Sequence, residues 1–167
     1  GLVDFDDYPF PARHLLPNNI YSSFTSQRKN FTILLTNTGC HFVCSFCAIN
    51  RQPLRCRSPQ NIVDEMEQCY KDFGIREVDF FSPSFFINRE IALKTCKEII
   101  RRNIKIEWSC RSRIDEVDEE LLRQAYKAGC RRIYYGIESA SSVVLGNISK
   151  GITLDQITNA IALSRHF

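Results

Sequence analysis

Nowhere do the 167 residues run apolar for the ~20 positions that a membrane-spanning helix needs, so no span is expected. No secretory leader is legible either. The first residues carry Asp4, Asp6 and Asp7, where a leader carries basic and then apolar residues. Charge of one sign is also scarce: a formal net charge of +3 is too small to argue for nucleic acid as a partner. The first residue is Gly1 in place of methionine, and Phe167 lies inside a helical pattern, as expected of a piece of a longer protein.

What the chain does have is 44% hydrophobic residues, enough for one domain with a real core and too many for a disordered chain. It also has eight cysteines. In a secreted protein such a number suggests disulfides. Here three stand together as candidate metal ligands and five are scattered. Cys69 and Cys96 fall on apolar positions of helical patterns, where buried free thiols are expected. The composition therefore points to a reducing, cytoplasmic setting.

Residues 1–30 carry Pro9, Pro11 and Pro17 and read as an irregular connector packed onto the next domain, residues 31–167. From there strands and helices alternate. Strands are expected at 31–36, 77–81, 104–108 and 132–137. Ser58 and Pro59 open a first helix that buries Ile62, Met66, Cys69 and Phe73. A second begins near Asn88 and buries Ile91, Cys96, Ile99 and Ile100. Asp118 caps a third, and Thr153 with Gln156 forms a capping box for the last. Such alternation predicts an α/β fold with a parallel sheet and crossover helices. Four βα units make half of an eightfold (β/α) barrel, or two thirds of a six-unit partial barrel. Ligands of parallel α/β folds bind at the carboxyl ends of the strands. The unusual polar residues fall there: the cysteines after the first strand, Ser82 after the second, Arg111 and Arg113 after the third, Glu138 and Ser139 after the fourth. Trp108 is expected in the core. Lys150 is expected as a solvated loop lysine, Arg55 and Arg57 either bind an acidic partner or are solvated loop arginines, and Arg111 and Arg113 have surface pairing with Asp115 or Glu116 as their plain alternative.

The first strand leads into Cys40-His41-Phe42-Val43-Cys44-Ser45-Phe46-Cys47. Thiolates are the soft ligands that iron–sulfur clusters and zinc prefer. Three of them can grip one face of a 4Fe–4S cube and leave one iron open. Two other readings stand beside this one. Cys56 as a fourth ligand gives an Fe–S electron carrier, or a zinc-stabilised structural module.

The C-x3-C-x2-C loop resembles the signature of the radical SAM family. The resemblance extends through Trp108-Ser109-Cys110-Arg111-Ser112-Arg113-Ile114-Asp115 and Gly136-Ile137-Glu138-Ser139. At the start, Asp7-Tyr8-Pro9-Phe10-Pro11-Ala12-Arg13-His14-Leu15-Leu16-Pro17 resembles the connector of members with an upstream cobalamin-binding domain. The resemblance implies the first four βα units of a TIM-like partial barrel, truncated at its C-terminus, and an enzyme. Cys40, Cys44 and Cys47 would hold a 4Fe–4S cluster whose open iron chelates S-adenosylmethionine. Phe46 would lie near the adenine, Glu138 and Ser139 in the cofactor pocket, and Arg111 or Arg113 on the carboxylate. The second strand end reads Phe81-Ser82-Pro83-Ser84-Phe85 where many members carry acidic residues, which leaves Ser82 or backbone carbonyls for the amino group. An external one-electron reductant of flavodoxin or ferredoxin type would supply the electron. Reductive cleavage then gives methionine and a 5′-deoxyadenosyl radical that takes hydrogen from a substrate. Cobalamin bound upstream would add methyl transfer or ring formation.

Overall fold

Each expected cap is made. Ser58 accepts from the Asn61 amide, Asn88 from Ile91 and Asp118 from Leu121. Thr153 and Gln156 exchange side-chain and backbone hydrogen bonds as a capping box. The computed structural model describes residues 4–167, so positions 1–3 of the expected connector lie outside the described residues. The caps open α1 (Pro59–Asp72), α2 (Arg89–Arg101), α3 (Glu119–Lys127) and α5 (Leu154–Ser164), with a short α4 (Ser142–Asn147) between the last two.

Parallel strands alternate with these helices: β1 (Phe31–Leu34), β4 (Glu77–Phe80), β5 (Glu107–Ser112) and β6 (Cys130–Tyr135), in the spatial order β1-β4-β5-β6. The result is an α/β open arc, a barrel not closed. The third strand begins later than its apolar residues suggested, because Ile104 and Ile106 belong to the approach and not to the ladder. The fourth runs from Cys130, two residues earlier than expected.

Successive side chains on a strand face opposite sides. Val78, Phe80, Trp108 and Cys110 enter one core with Ile62, Met66, Cys96, Ile99 and Leu121 of the helices. The intervening residues meet on the other face, where Ser109 and Arg111 both bond Asp79. Cys69 and Cys96 are fully buried, and burial pushes the Cys69 thiol up to about 11, so these are packing thiols. Ile100, expected inside, is 41% exposed on the solvent side of α2.

One further element was not expected. β2 (Asn37–Cys40) and β3 (Gln52–Cys56) form an antiparallel hairpin that carries the cysteine loop at its tip. Gly39 makes it possible: its φ is +75°, and a Cβ there would lie 2.0 Å from the Pro53 carbonyl oxygen.

The connector is also more firmly held than its prolines suggested. Asp6 accepts from the Ser58 amide at the start of α1, and Arg13 is 4% exposed with its Nη1 2.6 Å from Glu65. Arg57 is equally buried on the other oxygen of Glu65, and not a solvated loop arginine.

Candidate cofactor site at the strand ends

The cysteine loop is fastened by its own backbone. The Cys47 amide donates to the Cys44 carbonyl, Asn50 Nδ2 donates to the same oxygen, and the Arg51 amide closes onto Phe42. A contact from far along the chain adds to these: the Ser45 amide donates to the Ile148 carbonyl at 3.0 Å. The loop thus faces a cavity of about 350 Å³ at the carboxyl ends of the parallel strands. Cys40, Cys44 and Cys47 line it together with Phe46, Arg111, Arg113, Glu138 and Lys150.

Cys40 feels the other two thiols. Burial holds Cys40 above the ordinary thiol range, the Phe42 amide lowers it, and the charges of Cys47, Glu116 and Cys44 raise it again. A cationic metal group would offset this effect at Cys40, because thiolates bind as deprotonated ligands. Among the described residues no three His, Cys, Asp or Glu side chains close on a single metal-ion point. A cubic cluster asks for something different, one thiolate per iron. Cys56 lies elsewhere: it pairs with Asn37 at the base of the hairpin, whereas Cys40 pairs with Gln52 near the tip. Burial alone raises the Cys56 thiol, with no contribution from the other three. The four-ligand readings are not favoured by this arrangement.

Arg113 does pair with Asp115, at 2.9 and 2.8 Å, yet the pair is not a surface one. The guanidinium is 7% exposed, lies 3.7 Å over the Phe42 ring and directs Nη1 at Cys44 Sγ, 3.5 Å away. Arg111 reaches back to Asp79 at 3.0 Å and stacks on Phe81 at 4.2 Å. Glu138 follows β6 with φ +65°, a left-handed conformation costly for a residue with a side chain and common where function fixes the backbone.

Ser82 and Ser139 do not line the cavity. Ser139 Oγ accepts from the Ser141 amide. Ser82 is 3% exposed, and its hydroxyl accepts from the Thr36 and Asn37 amides, at 2.9 and 3.2 Å, where the chain leaves β1 for the hairpin. Ser82→Ala leaves two buried amides unpaired. It is expected to lower stability by about 1–3 kcal/mol while leaving affinity for S-adenosylmethionine unchanged, as thermal melts and equilibrium dialysis would read. Sequence reasoning missed Lys150, which is 6% exposed inside the cavity with its ammonium 3.1 Å from Glu138 Oε1. Its only local signal is the Ser149-Lys150-Gly151 turn.

A sequence family described as the radical SAM superfamily matches residues 34–167. An uncharacterised methyltransferase of Pyrococcus horikoshii is 30% identical over 99% of this chain and 36% of its own length. The anaerobic magnesium-protoporphyrin IX monomethyl ester cyclase of Cereibacter sphaeroides is 33% identical over 76% of this chain and 22% of its own. The chain thus spans about a third or less of these relatives. Among solved structures, the radical S-adenosylmethionine methyltransferase TsrM from Kitasatospora setae, with cobalamin and a [4Fe-4S] cluster bound, superimposes with a TM-score of 0.74. It is 23% identical and covers 82% of this chain and 29% of its own, so the likeness is one of fold. With the family matched across the cysteine loop and every strand end that faces it, the chain belongs to the radical SAM superfamily.

Proposed function

We propose that residues 31–167 form the cluster-bearing part of a radical SAM enzyme, and that the whole protein uses cobalamin, held upstream of residues 1–30, for methyl transfer or ring formation. One observation carries the reading: three neighbouring thiols share a cavity with an arginine, a glutamate and an exposed aromatic ring at the ends of parallel strands. The methyltransferase and cyclase relatives support the reaction class.

Cys40, Cys44 and Cys47 would hold a 4Fe–4S cluster, and Arg113 would donate to the sulfur of Cys44. Phe46 offers its ring to the adenine of S-adenosylmethionine and Glu138 its carboxylate to the ribose hydroxyls. Arg111, one-third exposed, offers a guanidinium edge to an acidic group. When bound, the cluster and S-adenosylmethionine supply one-electron cleavage of a carbon–sulfur bond and the radical chemistry that acts on an unreactive substrate carbon. Phe42, Ile49 and Tyr134 wall the cavity against water. A one-electron reductant of flavodoxin or ferredoxin type delivers the electron. All eight cysteines are free thiols, which suits a reducing, cytoplasmic compartment.

Anaerobic reconstitution tests the reading. Added S-adenosylmethionine is expected to change the electron paramagnetic resonance spectrum of the reduced cluster, and dithionite to yield methionine and 5′-deoxyadenosine. A spectrum indifferent to S-adenosylmethionine, with neither product formed, would overturn it.

A further inference from the structure

An ammonium group is expensive to bury without a fixed partner, and a lysine in a Ser-Lys-Gly turn is ordinarily solvated. Lys150 is nevertheless delivered into the cavity by its own backbone. Its amide donates to the Leu145 carbonyl at the end of α4, and its carbonyl accepts from Arg113 Nη2 at 2.8 Å. Left-handed φ values at Ser149 and Gly151, +53° and +69°, turn the chain on either side. Two residues earlier, the Ile148 carbonyl holds the Ser45 amide. The turn therefore braces the cysteine loop and the arginine beside it with one short stretch of backbone.

The side chain ties a second pair of residues together. Lys150 Nζ donates to Glu138 Oε1 at 3.1 Å and lies 5.6 Å from the centre of the Phe46 ring. Both ends of this ion pair press on Gly136: a Cβ there would meet Glu138 Oε1 and Lys150 Nζ, each at 2.9 Å. A side chain at this position would push both groups aside, so the pair is packed against the end of β6. Glu138 Oε2 has no hydrogen-bond partner among the described residues and remains able to accept from a ligand hydroxyl.

We infer that Lys150 is a positioning residue, whose ammonium sets the Glu138 carboxylate and the Phe46 ring in the relative placement that takes an adenosine group with its two adjacent hydroxyls. This rests on the proposed function, since it concerns the adenosine half of S-adenosylmethionine. Lys150 itself need not touch that ligand.

The test measures dissociation constants for S-adenosylmethionine on anaerobically reconstituted protein, alongside iron content and melting temperature. Lys150→Met keeps the buried stem and removes the charge. It is expected to weaken binding by about ten- to a hundredfold, the ratio one charge-assisted hydrogen bond carries, with iron content unchanged. Glu138→Ala, which empties the cavity side of the pair, should weaken it comparably, and the double variant should lose less than the product of the two single losses. Lys150→Arg should restore most of the affinity. Should Lys150→Met lose iron, the Lys150→Arg and Glu138→Ala measurements still decide. Saturable binding that Lys150→Met leaves unchanged, or losses that multiply in the double variant, would overturn the inference alone. Iron-loaded, unaltered protein with no saturable binding would overturn the proposed function and this inference with it.

Discussion

Cys47→Ala is expected to abolish the cluster, while Cys56→Ala keeps iron and sulfide at the level of the unaltered protein. The expectation follows from where the hairpin puts the two sulfurs. Cys40 sits opposite Gln52 near the tip, and Cys56 lies four positions further along the same strand, opposite Asn37. At ~3.3 Å per residue that separates it from the loop by on the order of 13 Å, more than a cubic cluster spans. Cys47 lies on the cavity wall with Cys40 and Cys44, and its removal leaves two thiolates where the cube needs three. Iron and acid-labile sulfide, assayed after anaerobic reconstitution, distinguish the outcomes. Equal loss of iron in both variants would restore the electron-carrier reading with four protein ligands.

The same hairpin shows where the sequence could be read and where it could not. Helix starts were legible because a cap is local chemistry: Ser58, Asn88, Asp118 and Thr153 each bond an amide within their own turn. Alternation of strand and helix, and with it the convergence of Cys44, Arg113 and Glu138, followed from those starts. The hairpin strands carry no apolar alternation. Asn37-Thr38-Gly39-Cys40 and Gln52-Pro53-Leu54-Arg55-Cys56 contain Gly39 and Pro53, residues that ordinarily argue against a strand. β5 was placed too early because Ile104 and Ile106 mimic a strand, while the true strand alternates core residues with Ser109 and Arg111, which face a polar interior.

Lys150 and the Ser82 hydroxyl were illegible for a different reason. Their partners are remote in sequence: Lys150 meets Arg113, and Ser82 meets Thr36. No local pattern reports a contact that the fold itself creates. Ser82 sat where a cofactor ligand was expected, yet the hydroxyl secures the exit of the cysteine hairpin from β1. Supporting a metal-bearing loop and touching its ligand are separate tasks that fall on adjacent residues at one strand end.

Glu65→Leu is expected to destabilise the fold strongly although it lies outside the cavity. Glu65 is 2% exposed and its two oxygens take two guanidinium groups, Arg13 at 2.6 Å and Arg57 on the other side. Those arginines also close the free edge of β1. Arg13 Nη2 donates to the Ile33 carbonyl at 2.9 Å, and Arg57 Nη1 donates to the Leu35 carbonyl at 2.8 Å. The Leu34 carbonyl, pointing the other way, accepts from Phe81 beyond β4. An edge strand left bare invites wrong pairing, and here two side chains occupy its acceptors. Removing the carboxylate strands two buried cations, which costs about 3–5 kcal/mol. At 2–4 °C per kcal/mol for a chain of this size, the melting temperature should fall by roughly 6–20 °C. The variant Arg13→Met, Glu65→Leu, Arg57→Met should recover part of that loss, because no unpaired charge remains, but not all of it, because the Ile33 and Leu35 carbonyls lose their donors. Thermal melts of the two variants separate the charge from the edge: full recovery would mean that the arginines serve only Glu65, and no initial loss would mean that water reaches the pair.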